Sequence, residues 1–168
     1  MNQSSFWEII DTAWQANAEL MSFRNAVLET IDAPVKRVDF EARYTRNPQI
    51  PSEAFLIETI SNNLNGLSKD DLRQFDLILE QKLFDLDRED IHEHTDGSDD
   101  GFLYCRGFIV VVGQEYYDSV MREPANAMLD WGCEAITYLP WHLYKSKFGA
   151  MPSSQISRET GSNSVMWS

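Results

Sequence analysis

The stretch His94-Thr-Asp-Gly-Ser-Asp-Asp-Gly-Phe-Leu-Tyr-Cys-Arg-Gly-Phe-Ile-Val-Val-Val-Gly113 decides how this chain is expected to fold. It joins the most acidic part of the sequence to the most apolar part. Taken alone, residues 108–112 are typical of a buried strand, because β-branched residues favour sheets. Over a longer window, however, apolar residues recur every three or four positions as far as Val120, which is the period of a helix. The wider pattern predicts a buried central helix over residues 99–122.

The start of this predicted helix carries the signals of an ordinary helix N-terminus. Ser98 is suited to cap the free backbone N–H groups, and Asp99 and Asp100 complement the positive end of the helix dipole. Gly101 allows another backbone to approach closely. Arg106 lies two turns after Asp99 on the same side, so its side chain is expected to reach back towards that carboxylate. The motif Ser98, Asp99, Asp100, Gly101 and Arg106 therefore has a structural interpretation, beside which a functional one stays open.

The N-terminal third predicts one long helix followed by an irregular segment. Ser5-Phe-Trp-Glu8 has the form of a capping box, and an apolar helical period follows it as far as Ile31. From residue 34 onwards the helical period is lost and prolines interrupt the chain. We expect an inserted extended segment or a short β-hairpin at residues 34–52.

Three further helices are expected. Ser52 and Ser68 each precede a helical period and are suited to cap a helix. The last predicted helix covers residues 127–148 and is kinked at Pro140. Gly149 is a typical C-terminal stop for it.

Length and composition fit a helical bundle. The chain has 168 residues, of which 43% are apolar, enough for one core. The patterns together predict a mostly all-α, single-domain bundle of about five helices around the central helix, over residues 1–152. Residues 153–168 are polar and rich in serine, so a disordered tail is expected. No apolar run approaches the roughly 20 residues that cross a bilayer, and two cysteines match no disulfide framework or metal spacing. A cytoplasmic location is expected.

The net charge of −13 narrows the classes of partner. Nucleic acids and anionic membranes are bound largely through Lys and Arg, so neither is expected as a partner. An acidic surface instead steers a basic protein and speeds its association. Between residues 85 and 100, eight carboxylates stand against one arginine. We predict that a protein partner contacts this segment through Asp87, Glu89, Asp90, Glu93 and Asp96.

The same segment suggests an alternative in metal chemistry. His92, His94 and Asp96 alternate along the chain with Asp99 nearby, and imidazole with carboxylate suits zinc or iron. A calcium loop of the EF-hand type is not supported, because Gly107 stands where the bidentate glutamate is required. No other cofactor is indicated, and no catalytic residue is assigned.

Three blocks of the sequence carry a resemblance to a known family. They are Phe6-Trp-x-x-Ile10, Ser98-Asp-Asp-Gly-Phe-x-Tyr-x-Arg106, and Cys133-Glu134 with Tyr138. They resemble the bacterial family of domains of unknown function numbered 4240, whose members are small and mostly helical. The resemblance supports a helix rather than a strand at residues 102–121. It implies no established activity, so no catalytic residue follows from it.

These observations predict a non-catalytic acidic protein that binds another protein. The most concrete form of this hypothesis is an immunity or antitoxin-like protein that neutralises a basic bacterial toxin domain. One alternative is a metal-binding protein or hydrolase that uses His92, His94, Asp96 and Asp99. The other is a structural module without a chemistry of its own.

Overall fold

A computed structural model describes residues 1–44, 48–95 and 98–167. Within these ranges the chain forms nine α-helices and no β-strand, so the mostly all-α prediction is confirmed. The expected count of about five helices and the β-hairpin are wrong. The helices are α1 Gln3–Gln15, α2 Ala18–Leu28, α3 Pro34–Tyr44, α4 Glu53–Asn65, α5 Lys69–Asp85, α6 Glu89–His92, α7 Asp99–Val112, α8 Gln114–Arg122 and α9 Glu134–Phe148.

Helix α7 is the buried centre of the fold. Ten of its 14 residues are buried, and α5 and α9 pack against it and against each other. The predicted central helix is therefore confirmed for residues 99–112. It does not continue to residue 122, because Gly113 has a φ of 119° and starts the separate helix α8. A residue with a side chain rarely adopts this backbone conformation.

Two side chains, one from α1 and one from α2, donate hydrogen bonds to backbone carbonyls at this break. The indole Nε1 of Trp14 donates a hydrogen bond of 2.6 Å to the carbonyl of Val111. Nε of Arg24 donates one of 2.6 Å to the carbonyl of Val112. The last carbonyls of a helix have no partner within the helix, so these donors satisfy groups that would otherwise stay unpaired in the core.

The single N-terminal helix that the sequence predicts is in fact two helices. The apolar period continues past Asn17, but the Asn17 side chain accepts hydrogen bonds from the backbone N–H groups of Glu19 and Leu20, so that a second helix, α2, starts there. The predicted capping box is also wrong. Asn2 caps α1 by accepting from the N–H of Ser5, which lies inside the helix.

Residues 34–44 form helix α3, where an extended insertion was expected. Pro34 occupies the first helical position, where its missing N–H costs no hydrogen bond. Val35 and Val38 are exposed and Phe40 is the one buried residue of α3, so the helix has no broad apolar face that its sequence could have revealed. Phe40 packs on Trp131 with ring centroids 5.4 Å apart, and this contact attaches the helix to the core. Residues 45–47 of the expected insertion lie outside the described residues.

Several predicted helix ends are confirmed. The Ser68 hydroxyl accepts from the N–H of Asp71 and caps α5, and Gly149, with a φ of 84°, ends α9. Ser52 precedes α4 but makes no capping hydrogen bond. Helix α9 starts at Glu134 rather than at residue 127, because a short 3-10 helix at Pro124–Asn126 and an irregular stretch come first.

The C-terminal residues also depart from expectation. Where the sequence suggested a disordered tail, residues 153–167 lie against the helices, and Arg158 is only 4% exposed. Its guanidinium donates to the carbonyl of Thr137 and to Asp76. The polar composition of the segment does not predict these contacts, because the partners are distant in sequence. Within the described part of the chain, no helix is long and apolar enough to cross a membrane.

Candidate functional site: an acidic cleft between α4, α7 and α9

The residues that the sequence assigned to partner binding do not form one open surface. Asp87 is fully buried. Its carboxylate accepts hydrogen bonds from the backbone N–H groups of Gly161 and Asn163, at 3.0 and 2.8 Å, and from the indole of Trp167 at 3.2 Å. Asp87 therefore holds the C-terminal residues and is not part of an exposed acidic surface.

The neighbouring acidic residues are partly paired within the chain. Arg88 donates to both carboxylate oxygens of Asp90, at 2.9 and 2.5 Å, and these bonds hold the pKa of Asp90 below its usual value. Glu89 is half-buried and Glu93 is exposed. Asp96 lies outside the described residues. We call residues 85–95 the acidic segment.

The alternative metal set is not brought together by the residues that the structure describes. His92 packs edge-on against Phe102, with ring centroids 4.9 Å apart, and lies 5.3 Å from the Trp167 ring, while His94 is exposed. No group of three His, Cys, Asp or Glu side chains with the geometry of a metal site occurs among the described residues. Asp96, the third expected ligand, is not among them.

The structure confirms Ser98 as the cap of α7 but does not confirm the expected contact between Arg106 and the Asp99 carboxylate. The Ser98 hydroxyl accepts from the N–H of Gly101, and Asp99 and Asp100 occupy the exposed first turn of α7. Arg106 does not reach the Asp99 carboxylate. It is fully buried and donates to the carbonyl of Leu83, because its side chain turns inward towards α5.

Other residues of the same blocks converge on a cleft that the sequence did not reveal. Tyr104 lies one turn after Asp100 on α7, and Tyr138 lies one turn after Glu134 on α9. The cleft has a volume of about 460 Å³. We call it the acidic cleft, and its polar lining is Glu53, Asp100, Tyr104, Glu134, Thr137, Tyr138, His142 and Glu159.

Close packing of α7 against the start of α9 forms this cleft. The N–H of Cys133 donates a hydrogen bond of 2.9 Å to the carbonyl of Tyr104. A Cβ added to Gly107 would lie 2.5 Å from the Cys133 carbonyl oxygen, so only glycine fits there. The two helices therefore approach at the point where Tyr104 and Glu134 face the cleft.

The family model described as Protein of unknown function (DUF4240) matches residues 1–146. The chain belongs to this family. No curated protein and no solved structure matches the chain. The part of the chain that matches the family model supplies every side chain of the acidic cleft named above except Glu159, which comes from the C-terminal residues beyond it.

The acidic cleft has four carboxylates that form no ion pair among the described residues. No Lys or Arg there forms an ion pair with Glu53, Asp100, Glu134 or Glu159. Burial raises the pKa of Glu53, and the charge of Glu134 adds to this effect. Negative charges that lie close together destabilise one another. A cation that enters the cleft would relieve this repulsion and would therefore be attracted.

Protonated side chains surround these carboxylates. Burial, and then the charges of Glu134 and Asp100, raise the pKa of the Tyr104 phenol. Burial and a hydrogen bond to Glu159 raise the pKa of Tyr138 to about 12. The Cys133 thiol lies 3.6 Å from Glu53, and burial raises its pKa too. The thiol therefore stays protonated at neutral pH, unlike an activated nucleophile. The carboxylates of the cleft are suited to accept hydrogen bonds from a cation.

The sequence contained part of the signal for this site. Glu134 and Tyr138 stand in the C-terminal block of the family resemblance at a spacing of one helical turn, as do Asp100 and Tyr104 in the central block. Two side chains one turn apart share a helix face. Nothing in the local sequence relates either pair to Glu53 or to Glu159, because these contacts depend on the tertiary fold.

Proposed function

We propose that this member of the family binds a basic protein through the acidic cleft, most concretely as an immunity or antitoxin-like inhibitor of a basic toxin domain. The observation that carries the proposal is the set of four carboxylates without an ion-pair partner among the described residues. A lysine or arginine of the partner supplies the missing charge. The net charge of −13 steers such a partner towards the protein.

The side chains of the cleft favour binding rather than catalysis. Tyr104 and Tyr138 offer rigid aromatic surface with a polar tip, and tyrosine is enriched where proteins bind one another tightly. The buried Cys133 thiol has a raised pKa and is therefore a poor nucleophile. An arginine lying between the two tyrosines would meet carboxylates at its end and aromatic rings along its stem.

An oligoarginine peptide tests whether the cleft recognises cations. In titrations followed by NMR, we expect the largest chemical-shift changes at Tyr104, Glu134 and Tyr138. Binding should weaken as salt rises, because exposed charges are screened. The variant Glu134→Lys should lose most of the binding, whereas Glu93→Lys makes the same charge change on the exposed acidic segment and should have a smaller effect.

The protein partner is then sought among proteins that co-purify with this chain in its native host. A genuine partner should bind with an affinity that Glu134→Lys lowers by about tenfold or more, the size of a lost close charge pair. Equal sensitivity to Glu134→Lys and Glu93→Lys, or peptide shifts confined to residues 89–94, would contradict a role for the acidic cleft.

A further inference from the structure

The C-terminal residues bind to the rest of the chain in the manner of a peptide in a recognition site. We call residues 149–167 the C-terminal segment. It lies beyond the residues that the family model matches and has one short 3-10 helix, at Ser164–Met166. Met151 and Trp167 of the segment pack against the core, and two anchors hold it through polar contacts.

The first anchor is a pocket for an arginine. Nη1 of Arg158 donates a hydrogen bond of 2.6 Å to the Thr137 carbonyl, and Nη2 lies 3.1 Å from Asp76 and 3.4 Å from Glu80. The guanidinium also stands over the Tyr138 ring, 4.9 Å from its centroid. Asp76, Glu80 and Thr137 are themselves buried, so α5 and α9 provide a complete binding site for a guanidinium group.

The second anchor holds the backbone that follows. The Asp87 carboxylate accepts from the N–H groups of Gly161 and Asn163. Nη2 of Arg106 donates a hydrogen bond of 3.0 Å to the Thr160 hydroxyl. Both Asp87 and Arg106 are fully buried. This anchor therefore recognises two backbone amides and one hydroxyl, at fixed distances along the chain from the arginine pocket.

The C-terminal segment does not use the full capacity of this site. A cavity of about 270 Å³ lies where the segment meets α5 and α9, and Asp76 and Trp141 contribute to its lining. Oδ1 of Asp76 and Nε of Arg106 are buried without a hydrogen-bond partner among the described residues. One unpaired polar atom thus remains at each anchor, and buried polar groups are normally paired.

We propose that this surface, which we call the arginine recess, is a peptide-binding site. Its ligand is an extended segment with an arginine followed, two and three residues later, by a hydroxyl side chain and a glycine, as in Arg158-Glu-Thr160-Gly161. The C-terminal segment occupies the recess in cis. Its release admits a partner segment that also supplies the hydrogen bonds now missing at Asp76 and Arg106. The proposal does not depend on what binds in the acidic cleft.

Competition between the cis segment and a free peptide tests the proposal. The probe is a fluorescent synthetic peptide with the sequence of residues 153–168, added to the full-length chain. A tethered segment competes at a millimolar effective concentration, so the wild-type protein should bind the peptide weakly. The full-length variant Arg158→Ala weakens the tethered segment and should bind the peptide at least about tenfold more tightly. A peptide carrying the same substitution should not bind.

A matched control is Arg122→Ala, which removes an arginine that is paired with Asp32 on the surface. This variant should bind the peptide as weakly as the wild-type protein does. Absence of peptide binding to Arg158→Ala, in a sample that still melts cooperatively, would overturn the proposal. So would equal binding of the intact and the substituted peptide.

Hydrogen exchange of the wild-type protein decides the matter if Arg158→Ala does not fold. A segment that can leave its site opens without global unfolding, and its amides then exchange faster than those of the core. The amides of Gly161 and Asn163 should exchange at least about tenfold faster than that of Val110 in α7. Equal protection at the three positions would mean that the segment leaves only when the whole protein unfolds, and the recess would then have no free state.

Discussion

The acidic segment and the acidic cleft are both rich in carboxylates, but they differ in whether these carboxylates are paired within the chain. In the acidic segment, Asp87 accepts hydrogen bonds from the C-terminal segment and Asp90 is paired with Arg88. In the acidic cleft, Glu53 and Glu134 have no ion-pair partner among the described residues. The pKa values follow this difference, since Arg88 lowers that of Asp90 while burial raises that of Glu53.

Charge density along the sequence is therefore a poor guide to where the fold leaves carboxylates without an ion-pair partner among the described residues. The acidic segment is the most acidic stretch of the chain, yet part of its charge is neutralised by contacts within the fold. The cleft collects its carboxylates from α4, α7, α9 and the C-terminal segment, and of these only Asp100 belongs to the acidic stretch at residues 85–100. An unpaired charge has more to gain from a cationic partner than a paired one, because pairing has already lowered its free energy.

The largest expected effect comes from the buried member of the acidic segment. Asp87→Asn removes the charge nearest to the buried guanidinium of Arg106, at 4.0 Å, and weakens acceptance from Gly161 and Asn163. Loss of one partner of a buried charge pair costs about 3 kcal/mol or more in free energy of unfolding. Urea denaturation measures it. Asp90→Asn is the matched control, since its exposed ion pair with Arg88 contributes about 1 kcal/mol at most. Equal losses in the two variants would contradict the internal role of Asp87.

A smaller effect is expected where α7 meets α9. In Gly107→Ala the added methyl group meets the Cys133 carbonyl and the Thr137 side chain, so the helices must move apart. Overpacking of this kind costs about 1–3 kcal/mol in free energy of unfolding. Because the same contact shapes the acidic cleft, oligoarginine binding should weaken although no charge has changed. Gly66→Ala, at the open end of α4, should leave stability and binding nearly unchanged. Unchanged binding in Gly107→Ala would mean that charge alone, and not cleft geometry, sets recognition.

The predictable part of the fold rests on local signals. The helical period identified the buried helix over residues 99–112, and the polar residues Ser68 and Ser98 marked helix starts through hydrogen bonds made within one turn. The breaks at Asn17 and Gly113 were missed because the apolar period continues through both. At Gly113 the decisive contacts come from Trp14 and Arg24, about ninety residues earlier in the chain.

The candidate site was less predictable than the fold, for the same physical reason. Asp100 was singled out from its motif, but the cleft joins it to Glu53 and Glu159, which are distant in sequence. The C-terminal segment was taken for a disordered tail because it is polar, whereas Arg158, paired with two buried carboxylates, and the buried Asp87 anchor it. Composition reports how much apolar surface a segment can bury, not whether its charges find partners.

The smallest expected effect follows from the raised pKa of Glu53. A carboxyl group whose pKa is higher in the folded state is favoured there in its protonated form. Its contribution is complete below its ordinary value of 4.5 and is lost as the pH rises through the folded-state pKa. Glu53→Gln cannot ionise, so its melting temperature should exceed that of the wild type by an amount that grows above pH 4.5 and then levels off. Thermal melts across this pH range measure the difference.

Glu93→Gln controls for the change in net charge, because Glu93 is exposed on the acidic segment. Its melting temperature should not follow the pH-dependent course expected for Glu53→Gln. If Glu53→Gln instead destabilised the protein increasingly as the pH rose, the Glu53 carboxylate would be stabilised in the fold. A cation would then already compensate it, and the acidic cleft would resemble the acidic segment rather than contrast with it.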